Sequence, residues 1–94
     1  MLIIGNQLKA ARALTGVEQQ ELADRAEVHV NTIRKMEAKG REEITSAADV
    51  LRRVQTALER LGVEFTNGNQ AGVRLKATSP NTIPIDKLNA SNDE

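Results

Sequence analysis

The sequence lacks cysteine, tryptophan and tyrosine, and it has one phenylalanine and one histidine among 94 residues. Without cysteine there is no disulfide framework, no zinc–thiolate site and no thiol chemistry. A single histidine would need several converging carboxylates to hold a metal, and no spacing predicts them, so we expect neither a metal nor a cofactor. The shortage of aromatic rings also excludes the stacking platform that proteins binding RNA or single-stranded DNA use.

Net charge and long apolar runs are also missing. Thirteen Lys and Arg balance thirteen Asp and Glu, so the overall charge predicts no partner. The apolar start Met1-Leu2-Ile3-Ile4 is far too short for a signal sequence or a membrane span, and we expect a cytoplasmic protein with no membrane contact. A single small domain has little core to wrap around a substrate, and no nucleophile–base pair is visible. The sequence therefore argues against an enzyme.

Apolar residues recur at helical spacing along the first two thirds of the chain. This spacing predicts three helices, at about residues 4–15, 18–26 and 29–38, and a fourth, longer one before Gly62. Gly16 and Gly62 are expected to end the first and the fourth helix. Ser46 and Asp49 resemble a capping box at the start of the fourth.

The hydrophobic period changes to two after Gly62, which predicts a β-hairpin. A two-residue turn at Asn67-Gly68 would leave Val73 and Leu75 without apolar partners. We therefore expect a longer loop that brings Phe65 near Val73. Polar residues and two prolines dominate from Ala77 onward, although Ile83 and Ile85 could still dock on the domain. The predicted organisation is a helical domain, a hairpin extension and a flexible tail: residues 1–62, 63–76 and 77–94.

The second and third helices carry the most informative pattern. Acidic residues predominate in 18–27 and basic residues in 28–41, so a neutral chain still has a local basic surface. Two helices joined by a short turn need a small residue where they cross, which Ala23 supplies, while Val28 and Ile33 anchor the third helix. The side chains then left pointing outward are Val30, Asn31, Arg34 and Lys35.

Such an outer helix face has two interpretations. An α-helix fits the major groove of DNA, where asparagine reads adenine, arginine or lysine reads guanine, and valine contacts the thymine methyl group. Alternatively, the helix is the solvated basic face of an ordinary helical bundle. Residue types alone leave both interpretations open.

The stretch Gln7–Gly40 resembles the Xre family of lambda-repressor-like (Cro/C1-type) helix-turn-helix regulators. The resemblance rests on Gly16-Val17-Glu18-Gln19-Gln20-Glu21-Leu22-Ala23, then Val28 and Asn31-Thr32-Ile33-Arg34-Lys35-Met36-Glu37, and it extends to Leu61. It implies a mainly α fold, a four-helix helix-turn-helix domain, followed here by the hairpin. It also implies a transcriptional regulator, by our interpretation a repressor, that binds a palindromic double-stranded DNA operator as a homodimer with the third helix in the major groove.

Residue roles follow from the resemblance. Val30, Asn31, Arg34 and Lys35 are expected to contact bases. Arg12 and Glu37 are expected to form a structural salt bridge that sets the angle of the third helix. We assign phosphate contacts to a larger set: Gln19, His29, Thr32, Lys39, Arg41, Thr45 and Ser46.

Three features depart from the family pattern: two residues and one element. Glu27 stands where the turn often has glycine, and a positive φ there costs about 1 kcal/mol. Glu18 is a poorer helix cap than serine, threonine or asparagine. The hairpin replaces the usual short fifth helix. We therefore expect the dimer contact at the hairpin or the end of the fourth helix, with these candidates: Leu58, Leu61, Phe65, Val73 and Leu75.

Two alternatives stay open. The same helical scaffold also suits a protein-interaction module, such as an antitoxin or anti-activator, so a protein partner is the rival to DNA. On the fourth helix, Arg52, Arg53 and Arg60 are expected to be solvated or paired with Glu43, Asp49 or Glu59, with a nucleic-acid backbone contact as the alternative.

Overall fold

The computed structural model describes residues 1–66 and 71–76 of the chain. Its elements are α1 (Gly5–Thr15), α2 (Gln19–Ala26), α3 (Val30–Ala38), α4 (Ala48–Arg60), β1 (Val63–Thr66) and β2 (Gly72–Leu75). The architecture is mainly helical and ends in an antiparallel hairpin, as the hydrophobic periods predict. The expected Asn67–Gln70 loop and the expected tail at 77–94 lie outside the described residues.

One hydrophobic core joins the helices to the hairpin. Leu8, Leu22 and Ile33 of the first three helices are completely buried, and Val63 of β1 is completely buried with them. Burying apolar area of this kind is the main favourable contribution to folding. The hairpin is therefore part of the same packed unit as the helices.

Two residues expected at a dimer interface belong to this core instead. Leu58 is 0% exposed and Phe65 is 8% exposed, because α4 and β1 turn these side chains toward the other helices. Neither offers a surface to a second chain. The candidates that keep accessible surface are Leu61 and Val73, both half-buried, and Leu75, which is exposed.

Gln7 is a buried polar residue that connects three parts of the fold. Its Oε1 accepts hydrogen bonds from the backbone N–H groups of Ile3 (2.6 Å) and Ile4 (3.1 Å). Its Nε2 donates to the carbonyl oxygens of Met1 (3.2 Å) and Gly72 (3.1 Å). A buried amide costs free energy unless it is hydrogen-bonded, and here both of its ends are. The side chain thereby fastens the N-terminal segment and β2 to α1.

The start of α1 lies directly against the end of α3. Asn6 donates its backbone N–H to the carbonyl of Gly40 at 2.8 Å. A β-carbon at Gly5 would lie 2.5 Å from the carbonyl oxygen of Met36 and 2.7 Å from the nitrogen of Gly40. Both atoms belong to the backbone, so the two helices approach this closely only because residue 5 is glycine.

The turn between α2 and α3 has the strained conformation expected from the sequence. Glu27 has φ 59° and ψ 45°, and among the residues described it is the single non-glycine residue with positive φ. Val28 donates its N–H to the carbonyl of Ala23 at 3.0 Å, and Arg53 donates to the carbonyl of Glu27 at 3.3 Å. These bonds hold the turn in a conformation that costs a non-glycine residue about 1 kcal/mol.

The predicted capping box at the start of α4 is wrong. The N-cap is Ala47, with no side-chain hydrogen bond to the helix, and Ser46 precedes it. The physical reason lies upstream, where the N–H of Ile44 bonds the carbonyl of Ile3 at 2.8 Å and Glu43 forms a β-bridge with Ile4. This pairing holds the chain extended, and the helix begins only after it.

The hairpin has the predicted register, with Phe65 opposite Val73. On its outer face Arg74 donates from Nε to Glu64 Oε1 at 2.7 Å. This hydrogen bond, reinforced by the positive charge of Arg74, lowers the pKa of the Glu64 carboxyl. A lowered pKa stabilises the folded state above the unfolded-state pKa of the carboxyl, and that contribution is lost as the pH falls through the folded-state pKa.

We therefore expect Arg74→Gln to raise the pKa of Glu64 toward its ordinary value. An NMR titration that follows the Glu64 carboxyl carbon from neutral to acidic pH measures the change directly. Arg34→Gln removes the same charge at a distant surface and is expected to leave the Glu64 midpoint where it is. Equal Glu64 midpoints in the parent and in Arg74→Gln would show that the Arg74 contact does not form in solution.

Candidate nucleic-acid interface

α3 has one buried side and one exposed side. Ile33 and Met36 are 0% and 1% exposed and anchor the helix in the core. Asn31, Arg34 and Lys35 are exposed on the opposite side, and we call these three residues the outer face of α3. Since the core holds the backbone of α3 firmly, the outer face is presented on a rigid support.

Val30 is less free than its predicted role requires. It is half-buried and packs against the core cluster at the start of α3. Its helical position explains this, because it is three residues before the buried Ile33. Part of its side chain still reaches the surface beside Asn31.

Hydrogen bonds order the outer face before any ligand arrives. His29 is the N-cap of α3, and its Nδ1 accepts the backbone N–H of Asn31 at 3.0 Å. Nδ1 is then unprotonated, so the neutral ring carries its proton on Nε2, which remains available to a partner. Arg34 donates from Nη1 to Asn31 Oδ1 at 2.9 Å. The amide nitrogen of Asn31 and the other N–H groups of Arg34 remain available as donors.

A buried carboxylate fixes α3 to the first two helices. Glu37 accepts hydrogen bonds from Arg12 Nε (2.5 Å) and Arg12 Nη2 (3.0 Å), which is the bidentate pair implied by the family resemblance. It also accepts from Gln19 Nε2 at 3.0 Å. The side chain of Glu37 is only 5% exposed and that of Arg12 is 23% exposed. One side chain thus joins α1, α2 and α3.

The contact with Glu37 favours the charged form of Arg12. Hydrogen bonding to Glu37 raises the pKa of the Arg12 guanidinium above its ordinary value, although partial burial acts in the opposite direction. For a basic group, a raised folded-state pKa means that its stabilisation is fully present below the unfolded-state pKa.

Two surface depressions lie beside α3 and collect several residues to which we assign phosphate contacts. The first is lined by Arg34 together with Arg12 and the start of α2 at Glu18–Gln20. The second is lined by Lys35 and Lys39 together with Ile44–Ser46, just before α4. Arg34 and Lys35 thus each border a depression as well as belonging to the outer face.

The predicted phosphate residues do not all share one surface. Gln19 lines the first depression, but its amide nitrogen already donates one hydrogen bond to Glu37. The backbone N–H groups of the first turn of α2 are further donors beside it. Lys39, Thr45 and Ser46 line the second depression. Three further residues line neither depression: exposed His29, half-buried Thr32 and exposed Arg41.

Sequence reasoning missed two contributions to this surface. Gln20 lines the first depression, although nothing in its position distinguished it from other polar residues of α2. The bond from Gln19 to Glu37 was also missed. The expected structural salt bridge at Glu37 was the available signal, because a buried carboxylate needs several donors.

Comparisons of the sequence with protein-family models and with curated proteins find no match. Within residues 1–66 and 71–76, no helix combines the length and the apolar character that crossing a membrane requires.

Proposed function

We propose that this chain is a sequence-specific regulator of transcription that binds double-stranded DNA through a lambda-repressor-like helix-turn-helix domain. One observation carries the proposal, namely the outer face of α3. An amide and two cations stand exposed on a helix that Ile33 and Met36 fix in the core. Asparagine, arginine and lysine are the side chains that read adenine and guanine in the major groove.

The surroundings of α3 support this function. DNA presents phosphates on both sides of its major groove, and most protein–DNA hydrogen bonds go to the backbone. The depressions beside α3 offer cations and helix-start N–H groups at two places. Contacts of that type fix the position of a protein on the duplex, while the outer face of α3 reads the bases.

The proposed regulator is a homodimer that acts as a repressor on a palindromic operator. One copy offers few base contacts, whereas a two-fold dimer places two recognition helices about 34 Å apart on successive major grooves. Leu61, Val73 and Leu75 keep accessible apolar surface near the hairpin. Along β2, a free strand edge would allow a second copy to pair there.

Selection of bound duplexes from a random DNA pool tests the whole proposal. We expect one enriched motif made of two inverted half-sites, which reports specificity and two-fold symmetry together. Enrichment of a single unrepeated half-site would retain DNA recognition and reject the dimer. A pool that stays random at low salt would reject DNA recognition and favour the rival function, a protein-interaction module.

Two substitutions separate base reading from general attraction. Arg34→Ala is expected to cost about 1–3 kcal/mol of binding to the selected site and to relax specificity at one base position. Lys39→Ala is expected to weaken all sequences alike and to reduce the slope of log K against log[salt] by about one unit. Fluorescence anisotropy at several salt concentrations measures both effects. Parental affinity and salt slope in both variants would place DNA on another surface.

A further inference from the structure

A groove between α2 and α4 lies apart from the outer face of α3. It has a volume of about 630 Å³, and α3 contributes none of the residues found to line it. Four arginines surround it, Arg25 at the end of α2 and Arg52, Arg53 and Arg60 on α4, over small residues such as Ala57. We call it the α2–α4 groove.

Two of these arginines have no partner among residues 1–66 and 71–76. Among the described residues, Arg52 and Arg60 form neither a hydrogen bond nor an ion pair. The pairing considered from the sequence, with Glu43, Asp49 or Glu59, does not form, and Glu59 instead accepts from Gln55 at 3.0 Å.

The other two arginines are only partly engaged. Arg25 contacts Glu21 at 3.1 Å in an exposed pair, which is weakly held in water. Arg53 gives one N–H to the carbonyl of Glu27 at 3.3 Å and keeps the rest of its guanidinium free. All four arginines thus retain donors that an anionic ligand can take.

The two unpartnered cations have a regular spacing along α4. Arg52, Thr56 and Arg60 follow one another at intervals of four residues, so they lie along one side of the helix. At 1.5 Å per residue, Arg52 and Arg60 are about 12 Å apart along the axis. A basic residue in the last turn, such as Arg60, interacts favourably with the helix dipole and so stabilises the helix. Arg52 lies in the N-terminal half of α4, where a positive charge has no such favourable interaction. The stability of α4 therefore does not explain this arrangement.

We propose that the α2–α4 groove binds an acidic helical segment of a partner protein, with carboxylates two turns apart that meet Arg52 and Arg60. Guanidinium groups bind carboxylates in bidentate pairs, which suits this partner chemistry. Ala26 and Ala57 are small residues that let a second helix approach closely. A helix lying in such a groove is a recurring mode of peptide recognition.

Two features favour a protein over a nucleic-acid backbone here. Glu27 and Asp49 also line the groove, and they would repel a continuous row of phosphates. A peptide, in contrast, can carry basic residues that pair with these two carboxylates. The groove is concave and partly apolar, while a phosphate backbone is convex and polar. Because the groove shares no lining residue with the two depressions beside α3, one chain can hold both ligands at once.

The test uses a synthetic helical peptide of alanine, glutamine and glutamate, with the glutamates at i, i+4 and i+8. A permuted peptide of the same composition, with the glutamates spread around the helix, is the matched control. Each is titrated into the ¹⁵N-labelled full chain at low salt, and amide shifts are followed by NMR. We expect the spaced peptide to shift the amides of Ala26, Arg52 and Thr56 and to bind at least ten-fold more tightly than the permuted one.

Substitutions locate the binding. Arg52→Gln with Arg60→Gln is expected to weaken binding of the spaced peptide at least ten-fold. Replacing both arginines by lysine is expected to weaken it several-fold, because lysine keeps the positive charge but cannot form a bidentate pair with a carboxylate. Arg34→Gln with Arg41→Gln removes the same charge outside the groove and is expected to leave peptide affinity unchanged. The melting temperature of the Arg52→Gln/Arg60→Gln variant is expected to change little, because relief of like-charge repulsion opposes the lost interaction of Arg60 with the helix dipole.

Three results would overturn the proposal. The first is equal binding of the spaced and permuted peptides. The second is an equal loss of peptide affinity in the Arg34/Arg41 and Arg52/Arg60 variants. The third is a larger loss of affinity for random duplex DNA in the Arg52/Arg60 variant than in the Arg34/Arg41 variant, which would make the groove a nucleic-acid surface. Since the peptide titration contains no DNA, its outcome is independent of the proposed regulator function.

Discussion

Gly5→Ala is expected to lower the free energy of unfolding by about 3 kcal/mol, at the upper end of overpacking effects. The added methyl group would meet the carbonyl oxygens of Met36 and Glu37 at 2.5 and 2.9 Å and the nitrogen of Gly40 at 2.7 Å. All three atoms belong to the backbone, so no side chain can move aside to admit it. Relief requires α1 and α3 to separate, which also lengthens the bond from Asn6 to Gly40.

Gly16→Ala is the matched control for this substitution. Gly16 ends α1 with φ 79°, and nothing lies within 4 Å of a β-carbon built there. Alanine at this position introduces backbone strain but no steric clash, and we expect the free energy of unfolding to fall by about 1 kcal/mol. Urea denaturation followed by circular dichroism measures both variants. If Gly5→Ala loses no more stability than Gly16→Ala, the close approach of α1 to α3 is not present in solution.

Glu37→Ala is expected to lower the free energy of unfolding by about 3 kcal/mol, the lower end of the effect of breaking a buried ion pair. The substitution leaves Arg12 and the amide of Gln19 without their shared acceptor. We choose the lower end because Arg12 keeps 23% of its side chain exposed and recovers some hydration. Affinity for the selected operator should fall as well, since α3 loses its polar link to α1 and α2.

Glu21→Ala makes the same change in an exposed pair. Glu21 and Arg25 are both about half exposed and stand one helical turn apart, so we expect a change of no more than about 0.5 kcal/mol. Thermal and urea denaturation of both variants give the comparison, and anisotropy with operator DNA gives the second measurement. A Glu37→Ala protein as stable as Glu21→Ala would mean that the Arg12–Glu37–Gln19 contacts contribute nothing net to the fold.

The hydrophobic period predicted the helices and strands well, because each of these elements buries one apolar face and that burial gives the sequence its period. The first three helices lie within one residue of their predicted bounds, and α4 ends two residues before Gly62, the predicted stop. The hairpin register followed from requiring Val73 to share a face with Phe65, a condition that a two-residue turn cannot meet. The positive φ of Glu27 was also predicted, from the family pattern in which this turn position often holds glycine.

Contacts between distant parts of the chain escaped prediction. Gln7 is 3% exposed and bonds Gly72, 65 residues away, yet its place in the sequence resembles any polar position of an amphipathic helix. Leu2 is completely buried although it precedes every helix. The start of α4 was misplaced because the pairing of Ile44 with Ile3 overrides the local preference of Ser46. In each case the deciding partner is far along the chain.

The candidate site was predicted in composition more than in arrangement. Residue spacing identified Asn31, Arg34 and Lys35 as exposed neighbours, since a helix with one buried side must present the opposite one. Spacing does not encode how neighbouring helices approach each other. It therefore could not predict that Val30 packs partly against the core or that Gln19 donates to Glu37. The α2–α4 groove likewise exists only once two separate helices are packed together.

The hydrogen bond from Gln7 to Gly72 has a consequence for folding during synthesis on the ribosome. It joins residues 65 positions apart, and ribosomes add about 5–20 residues per second, so roughly 3–13 s separate the synthesis of the two partners. Throughout that interval the amide of Gln7 must rely on water for one of its four bonds. The hydrogen bonding of Gln7 is therefore complete only after β2 has been synthesised.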